Sequence, residues 1–224
     1  MNTLVITLGP ASKHTPTPEP VRAEDLALPA LEMDASRHHR LVVEGVQAVW
    51  ERWGRSALDV AILSAGLDLL GDELSIAPDD VTLEESSEGE LARWAGRLWL
   101  VERVQPLVAQ YDLVFYLLSG RPLAALGLPL GVPDKVQQIV LTDAESLSLL
   151  PDLANLHGFV ADGGAAAQRW HVKASYVRGF LFKRLCSQVA WHGPIVLQWL
   201  HSFPQDTEKL FYKRIRWRPQ LPMW

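Results

Sequence analysis

Three groups of side chains could do chemistry. The first is Ser12, Lys13, Ser64, Gly66, Ser119, Gly120 and Arg121. They fall where short apolar runs stop, as residues at the ends of strands do. Small residues let a ligand approach the backbone, and a helix beginning near Arg121 would offer unpaired N–H groups to an anion. A phosphate or a nucleotide is the ligand such a set would hold. The plainer reading is that strand ends carry Ser and Gly because turns demand them. The second group is acidic: Asp79, Asp80, Glu84 and Glu85. Two carboxylates beside a sugar can serve as acid and base, or one as nucleophile. Asp80 and Glu84 are the catalytic candidates, and a solvated acidic loop is the competing reading.

The third group is basic and aromatic. Arg169, Lys173, Tyr176, Phe180 and Lys183 are spaced 4, 3, 4 and 3 residues apart, which is one face if a single helix runs from Ala165 to Ala190. The tail repeats the theme with Lys213, Arg214, Arg216, Trp217 and Arg218. Cations interleaved with aromatic rings suit a nucleic-acid backbone with stacked bases. The alternative is packing on a neighbouring helix with the charged ends in water.

These residues need elements to hold them. Thr3–Leu8, residues 58–64, Leu113–Leu118 and Gln138–Thr142 are short apolar runs and read as strands. Their nearly continuous apolar character fits strands covered on both faces. Helical periodicity separates them. Val42, Val46, Val49, Trp50 and Trp53 mark one face of a helix from about Asp34 to Trp53, with Gly54 as its C-cap. A second helix is expected from about Glu88 to Val104, ended or kinked at Pro106. Strands alternating with helices predict a three-layer α/β sandwich with a mainly parallel central sheet, flavodoxin-like in the loose sense, plus C-terminal helices. Residues 1–160 are expected to form the α/β domain, and 161–224 a helical basic extension packed on it. In such sheets ligands bind beyond the carboxyl ends of the strands, which is where the first group would converge.

The composition sets further bounds. The chain has 224 residues and a formal charge of -5, but residues 163–224 hold ten Lys and Arg against two acids. That asymmetry points either to an anionic partner or to a basic tail lying on an acidic body. Cys186 is the single cysteine, so neither an intramolecular disulfide nor a cysteine-based zinc site is expected. His38 and His39 are adjacent on a helix start, about 100° apart, and read as solvated rather than as joint metal ligands. His157, His171, His192 and His201 lack ligand spacing. No metal and no cofactor are expected. Most of the nine tryptophans fall on apolar helix faces and read as core. No apolar run approaches the ~20 residues of a membrane span, and the first residues lack the basic start of a signal peptide. A cytoplasmic protein without a membrane partner is expected.

Ala61-Ile-Leu-Ser-Ala-Gly-Leu-Asp-Leu-Leu70, followed by Ile76-Ala-Pro-Asp-Asp80, carries a family resemblance. It is similar to the peroxide-stress protein family and to the related domains found with 7-deazaguanine DNA transglycosylases. Ser64, Ala65, Gly66, Leu67, Leu69, Leu70, Ile76, Pro78 and Asp80 correspond to the family pattern, whereas a Lys and a Tyr usual between the Ala and the Gly are absent and Asp79 stands where a second Tyr is usual. Ser12-Lys13 and the run Asp112–Gly120 also resemble family elements. The resemblance implies an α/β fold with a DNA-related or oxidative-stress role.

The resemblance and the basic C-terminal third together suggest a nucleic-acid-associated protein of a stress, defence or DNA-modification system. DNA or RNA, or a nucleotide, is then the expected partner. The alternatives are an enzyme acting on the N-glycosidic bond of a nucleoside or nucleotide, and a non-catalytic subunit that binds another protein.

Overall fold

The computed structural model describes residues 1–8, 28–29, 37–64, 68–71, 75–76, 96, 100–161 and 164–212. The strands are β1 (Thr3–Leu8), β2 (Leu28–Pro29), β3 (Asp59–Ser64), β4 (Asp68–Gly71), β5 (Ser75–Ile76), β6 (Leu113–Leu117), β7 (Gln137–Thr142) and β8 (Leu156–Val160). The α-helices are α1 (Arg37–Trp53), α2 (Leu100–Val108), α3 (Gly120–Ala125), α4 (Ala144–Ser148), α5 (Ala165–Trp170), α6 (Val177–His192), α7 (Ile195–Ser202) and α8 (Thr207–Tyr212).

The main sheet has the order β4-β3-β1-β6-β7-β8. β3, β1, β6, β7 and β8 are parallel, and β4 turns back antiparallel on β3 at one edge. Numbered among themselves, the five parallel strands follow the order 2-1-3-4-5, that of flavodoxin-like sheets. The four strands expected from the sequence are all present and mutually parallel. β8 and the β3–β4 hairpin were not foreseen. β8 contains His157 and Gly158, which interrupt the apolar run that marks the other strands. β2 and β5 form a separate two-stranded ribbon.

Alternation along the strands sends side chains to two cores. Val5, Val60, Ile62, Phe115, Leu117, Ile139 and Leu141 meet Val42, Val46 and Val49 of α1 and Val177, Leu181, Leu185 and Val189 of α6. Leu4, Ile6, Ala61, Leu63, Val114, Tyr116 and Val140 meet Leu100, Val104 and Val108 of α2 and Leu123 of α3. Both faces of the sheet are thus covered, which is why its strands carry apolar residues at consecutive positions. Within the second core the Tyr116 hydroxyl donates to Gln138 Oε1 at 2.9 Å, so its buried polar end is satisfied. Val196, Leu197, Leu200, Leu210 and Phe211 of the last helices join the first core.

Three local expectations are corrected. The helix expected from Ala165 to Ala190 is two helices. α5 stops at Trp170, His171 adopts a left-handed φ of 53°, and a single 3-10 turn at Ala174–Tyr176 leads into α6. The apolar periodicity holds within α6 but had been extended across that break. α2 continues past Pro106 to Val108, because the proline removes one N–H bond without preventing the last turn. Upstream of Leu100, that expected helix lies outside the described residues except at Gly96. Finally, Trp53, Trp191 and Trp199 are exposed rather than core. None of the helices among the described residues is long and apolar enough to cross a membrane.

Candidate functional site

The parallel strands place their carboxyl ends on one rim. The register pairs Leu8 with Leu63 on one side of β1 and Thr7 with Leu117 on the other. Ser64, the last residue of β3, and Ser119, two residues past the end of β6, therefore lie on the two sides of β1 at that rim. Ser12, Lys13 and Gly66 lie outside the described residues, as do Asp80 and Glu84. What can be followed at the rim is the start of α3.

There the expected anion-binding amide is already taken. Gly120 N–H donates to Asp143 Oδ2 at 3.1 Å and to Ser146 Oγ at 2.8 Å. Ser146 Oγ donates to Asp143 Oδ2 at 2.8 Å, and Ser146 N–H to Asp143 Oδ1 at 2.7 Å. Asp143 is the N-cap of α4, so one carboxylate serves the first turns of two helices. Burial pushes the Asp143 carboxyl up, but the hydrogen bonds from Ser146 and Gly120 outweigh it and leave it below its ordinary value. Ser119, the N-cap residue of α3, makes no side-chain capping bond. A carboxylate of the protein thus stands where a phosphate was expected. Arg121 is exposed beside it.

The second polar collection lies on the helical layer, where α1 crosses α6. Two glycines set how closely these helices approach. A Cβ on Gly45 would lie 3.0 Å from Lys183 Cα, and one on Gly179 would lie 2.6 Å from the His38 carbonyl oxygen. His38 and His39 are buried in this contact, not solvated as the sequence suggested. Gly179 N–H, an otherwise unpaired donor in the first turn of α6, donates to His38 Nδ1 at 3.1 Å. With Nδ1 accepting, the ring proton sits on Nε2, which makes a long 3.5 Å contact with Thr7 Oγ1 on β1. Burial, aided by the charges of Arg178 and His39, holds the His38 pKa down to about 3. His38 is therefore a neutral acceptor that ties together α1, α6 and the sheet.

Beside this crossing runs a cleft of about 270 Å³, lined by Arg37 and Leu41 of α1, Val172 and Tyr176 of the connection, and Phe180, Lys183, Arg184 and Ser187 of α6. Arg184 is held in place on both sides. Its guanidinium lies 4.2 Å from the Trp170 ring centre, and its Nε donates to the Phe211 carbonyl at 3.0 Å. Phe180 packs on the same Trp170 at 5.7 Å. Lys183 Nζ donates to Glu44 Oε2 of α1. That hydrogen bond, against a small opposing effect of burial and with the charges of Lys183, Arg37 and Arg40, keeps the Glu44 carboxyl below its usual range. Lys183, Arg37 and Arg40 thus act on the Glu44 carboxylate, while Tyr176 and Phe180 supply aromatic walls to the cleft.

Tyr176, Phe180 and Lys183 of the expected stripe meet in this cleft. Arg169 and Lys173 do not line it: the Arg169 guanidinium lies 5.5 Å from the Trp170 ring centre, and the Lys173 ammonium 6.0 Å from that of Tyr176. The break at His171 separates them from the α6 face. Lys213, Arg214, Arg216 and Arg218 lie outside the described residues. Sequence reasoning missed Arg37, Arg184 and Glu44. The block Arg37-His-His-Arg40 carried a signal, since its charged residues open a helix, but the distant α6 was needed to give it a partner.

Among the described residues no cluster of three or more His, Cys, Asp or Glu could hold a metal ion. No protein-family model, curated protein or solved structure matches this chain.

Proposed function

We propose that the chain binds nucleic acid through the α1–α6 cleft, in the stress, defence or DNA-modification setting that the resemblance implies. The observation that carries this reading is the junction of Arg37, Lys183 and Arg184 with Tyr176 and Phe180 in one cleft. Cations meet phosphates and aromatic rings meet bases, and together they are what strand binding without sequence preference uses. The formal charge of -5 opposes attachment over the whole surface, so binding is confined to this positive face. Affinity falls with salt, log K changing by about −0.7 to −0.9 per phosphate contact for each unit of log salt. The test is a titration of wild type and of the Arg37→Glu, Lys183→Glu double variant at two salt concentrations. Loss of binding in the variant supports the reading. Absence of wild-type binding at low salt, or equal binding by both proteins, rejects it.

One observation favours the protein-partner reading as a second function. Trp191 near the end of α6, Ile195 and Trp199 of α7 and Phe203 just after it are exposed, and the Trp199 and Phe203 rings lie tilted with centres 4.5 Å apart. Exposed aromatic rows of this kind are common in protein interfaces. Size-exclusion chromatography with light scattering, comparing wild type with Trp191→Ser, Trp199→Ser, would show self-association through this row as a loss of mass in the variant.

A further inference from the structure

The nucleic-acid reading leaves open which form of nucleic acid the cleft takes, and its dimensions and lining narrow the choice. Its volume of about 270 Å³ lies just below the roughly 300–1,000 Å³ of pockets that engulf a drug-sized ligand. That space suits one nucleotide unit. Tyr176 and Phe180 are half-buried at the wall of the cleft. Rings in that position bind the flat face of a base. A duplex hides those faces in its stack and shows only base edges in its grooves. It would offer neither ring a base face to stack on.

The charge arrangement adds a second restriction. Lys183 is paired with Glu44 across the helix crossing, each side chain about two-fifths exposed. An exposed pair of this kind is weak and can be exchanged. A strand phosphate entering beside Arg37 can take the Lys183 ammonium over from Glu44, because from within the cleft its two free oxygens can meet Lys183 and Arg37 together. Glu44 is then a specificity residue. It competes with the ligand for Lys183 and repels anions that do not engage both Lys183 and Arg37.

We propose that the cleft takes one nucleotide unit of a single strand. Its base lies against Tyr176 and Phe180, and its phosphate replaces Glu44 on Lys183. This rests on the nucleic-acid reading above. The chemistry is that of a nucleobase joined to a phosphate, which a free nucleotide also offers, so the probes must separate the two sources.

The experiment is a fluorescence-anisotropy titration with a labelled oligothymidylate, an abasic backbone of equal length and a blunt hairpin duplex. Unlabelled thymidine monophosphate serves as competitor. Loss of base stacking costs about tenfold in affinity, so the single strand is expected to bind about that much more tightly than the abasic strand and the duplex. Tyr176→Leu is expected to bring the single strand to the abasic level. Glu44→Gln is expected to tighten binding of the single strand by about threefold, the scale of an exposed ion pair. Full competition by the monophosphate at its own affinity assigns the cleft to free nucleotides and overturns the strand proposal. Equal binding of abasic and base-bearing strands, or of duplex and single strand, also overturns it while leaving nucleic-acid binding in place. Absence of all binding rejects both. The abasic comparison uses only the wild-type protein, so misfolding of a variant cannot mask the outcome.

Discussion

The rim of the sheet and the cleft on the helical layer both gather polar side chains, but they treat charge in opposite ways. At the rim, the Gly120 amide, the Ser146 hydroxyl and the Asp143 carboxylate satisfy one another within 3.1 Å. The circuit is closed and already holds its own anion. In the cleft, Arg37, Lys183 and Arg184 line the wall, and Lys183 is paired with Glu44, which is exposed and exchangeable. A rim that caps its own helices is a structural device. A cleft with cationic side chains and aromatic walls is the arrangement the proposed binding uses.

The largest expected effect tests the frame of the cleft. Burial holds the His38 pKa down to about 3 in the folded protein, against an ordinary value of about 6.5 once exposed. Between these values the unfolded chain binds the extra proton, so stability is complete above about pH 6.5 and falls as the pH drops toward 3. The limiting slope is about 1.4 kcal/mol per pH unit. Urea unfolding at pH 7.0, 5.5 and 4.5 should show this fall, with a shallower slope in His38→Asn. A wild-type stability flat across that range would remove His38 as the neutral tie between the helices. Next comes Gly179→Ala, whose Cβ meets the His38 carbonyl at 2.6 Å. Because that neighbour is backbone, we expect a loss of about 3 kcal/mol, read as a lower urea midpoint. An unchanged midpoint would mean that α1 and α6 can separate at little cost.

The difference in function is sharpened by opposite variants at the two places. Arg37→Glu with Lys183→Glu should weaken single-strand binding about thirtyfold at low salt, whereas Arg121→Ala at the rim should leave it unchanged. A matching loss in Arg121→Ala would transfer the anion site back to the sheet edge. The smallest effect is structural. Asp143→Ala removes caps from two helix starts and should cost about 1 kcal/mol while binding stays at the wild-type level. Its share of stability is present above the ordinary aspartate range and fades as the pH falls through the lowered pKa. A thermal melt at neutral pH, paired with the same titration, separates the two readouts.

Much of the frame was legible because it is written locally. Runs such as Leu113–Leu117 and Ile139-Val-Leu141 are apolar at consecutive positions, as a strand covered on both faces requires. Val42, Val46 and Val49 recur at helical spacing because one side of α1 faces the core. β8 escaped notice because its burial is partial and its composition mixed. The α5–α6 break escaped because His171 adopts its left-handed turn without a glycine to announce it.

By itself, the sequence determined the parallel α/β layering, the separation of basic and acidic segments, and the residue types able to meet a phosphate or a base. Those properties follow from periodicity and composition, which act over a few residues. Tertiary structure alone decided which charges face one another. It brought Asp143 to Gly120 across 23 positions and Glu44 to Lys183 across 139. It also buried His38 against Gly179, 141 residues away, and so converted an apparently solvated histidine into a neutral tie. The physical reason is that an amide, a carboxylate or an ammonium has no fixed role until burial and partners set its charge state. Those partners come from strands and helices far apart in the chain.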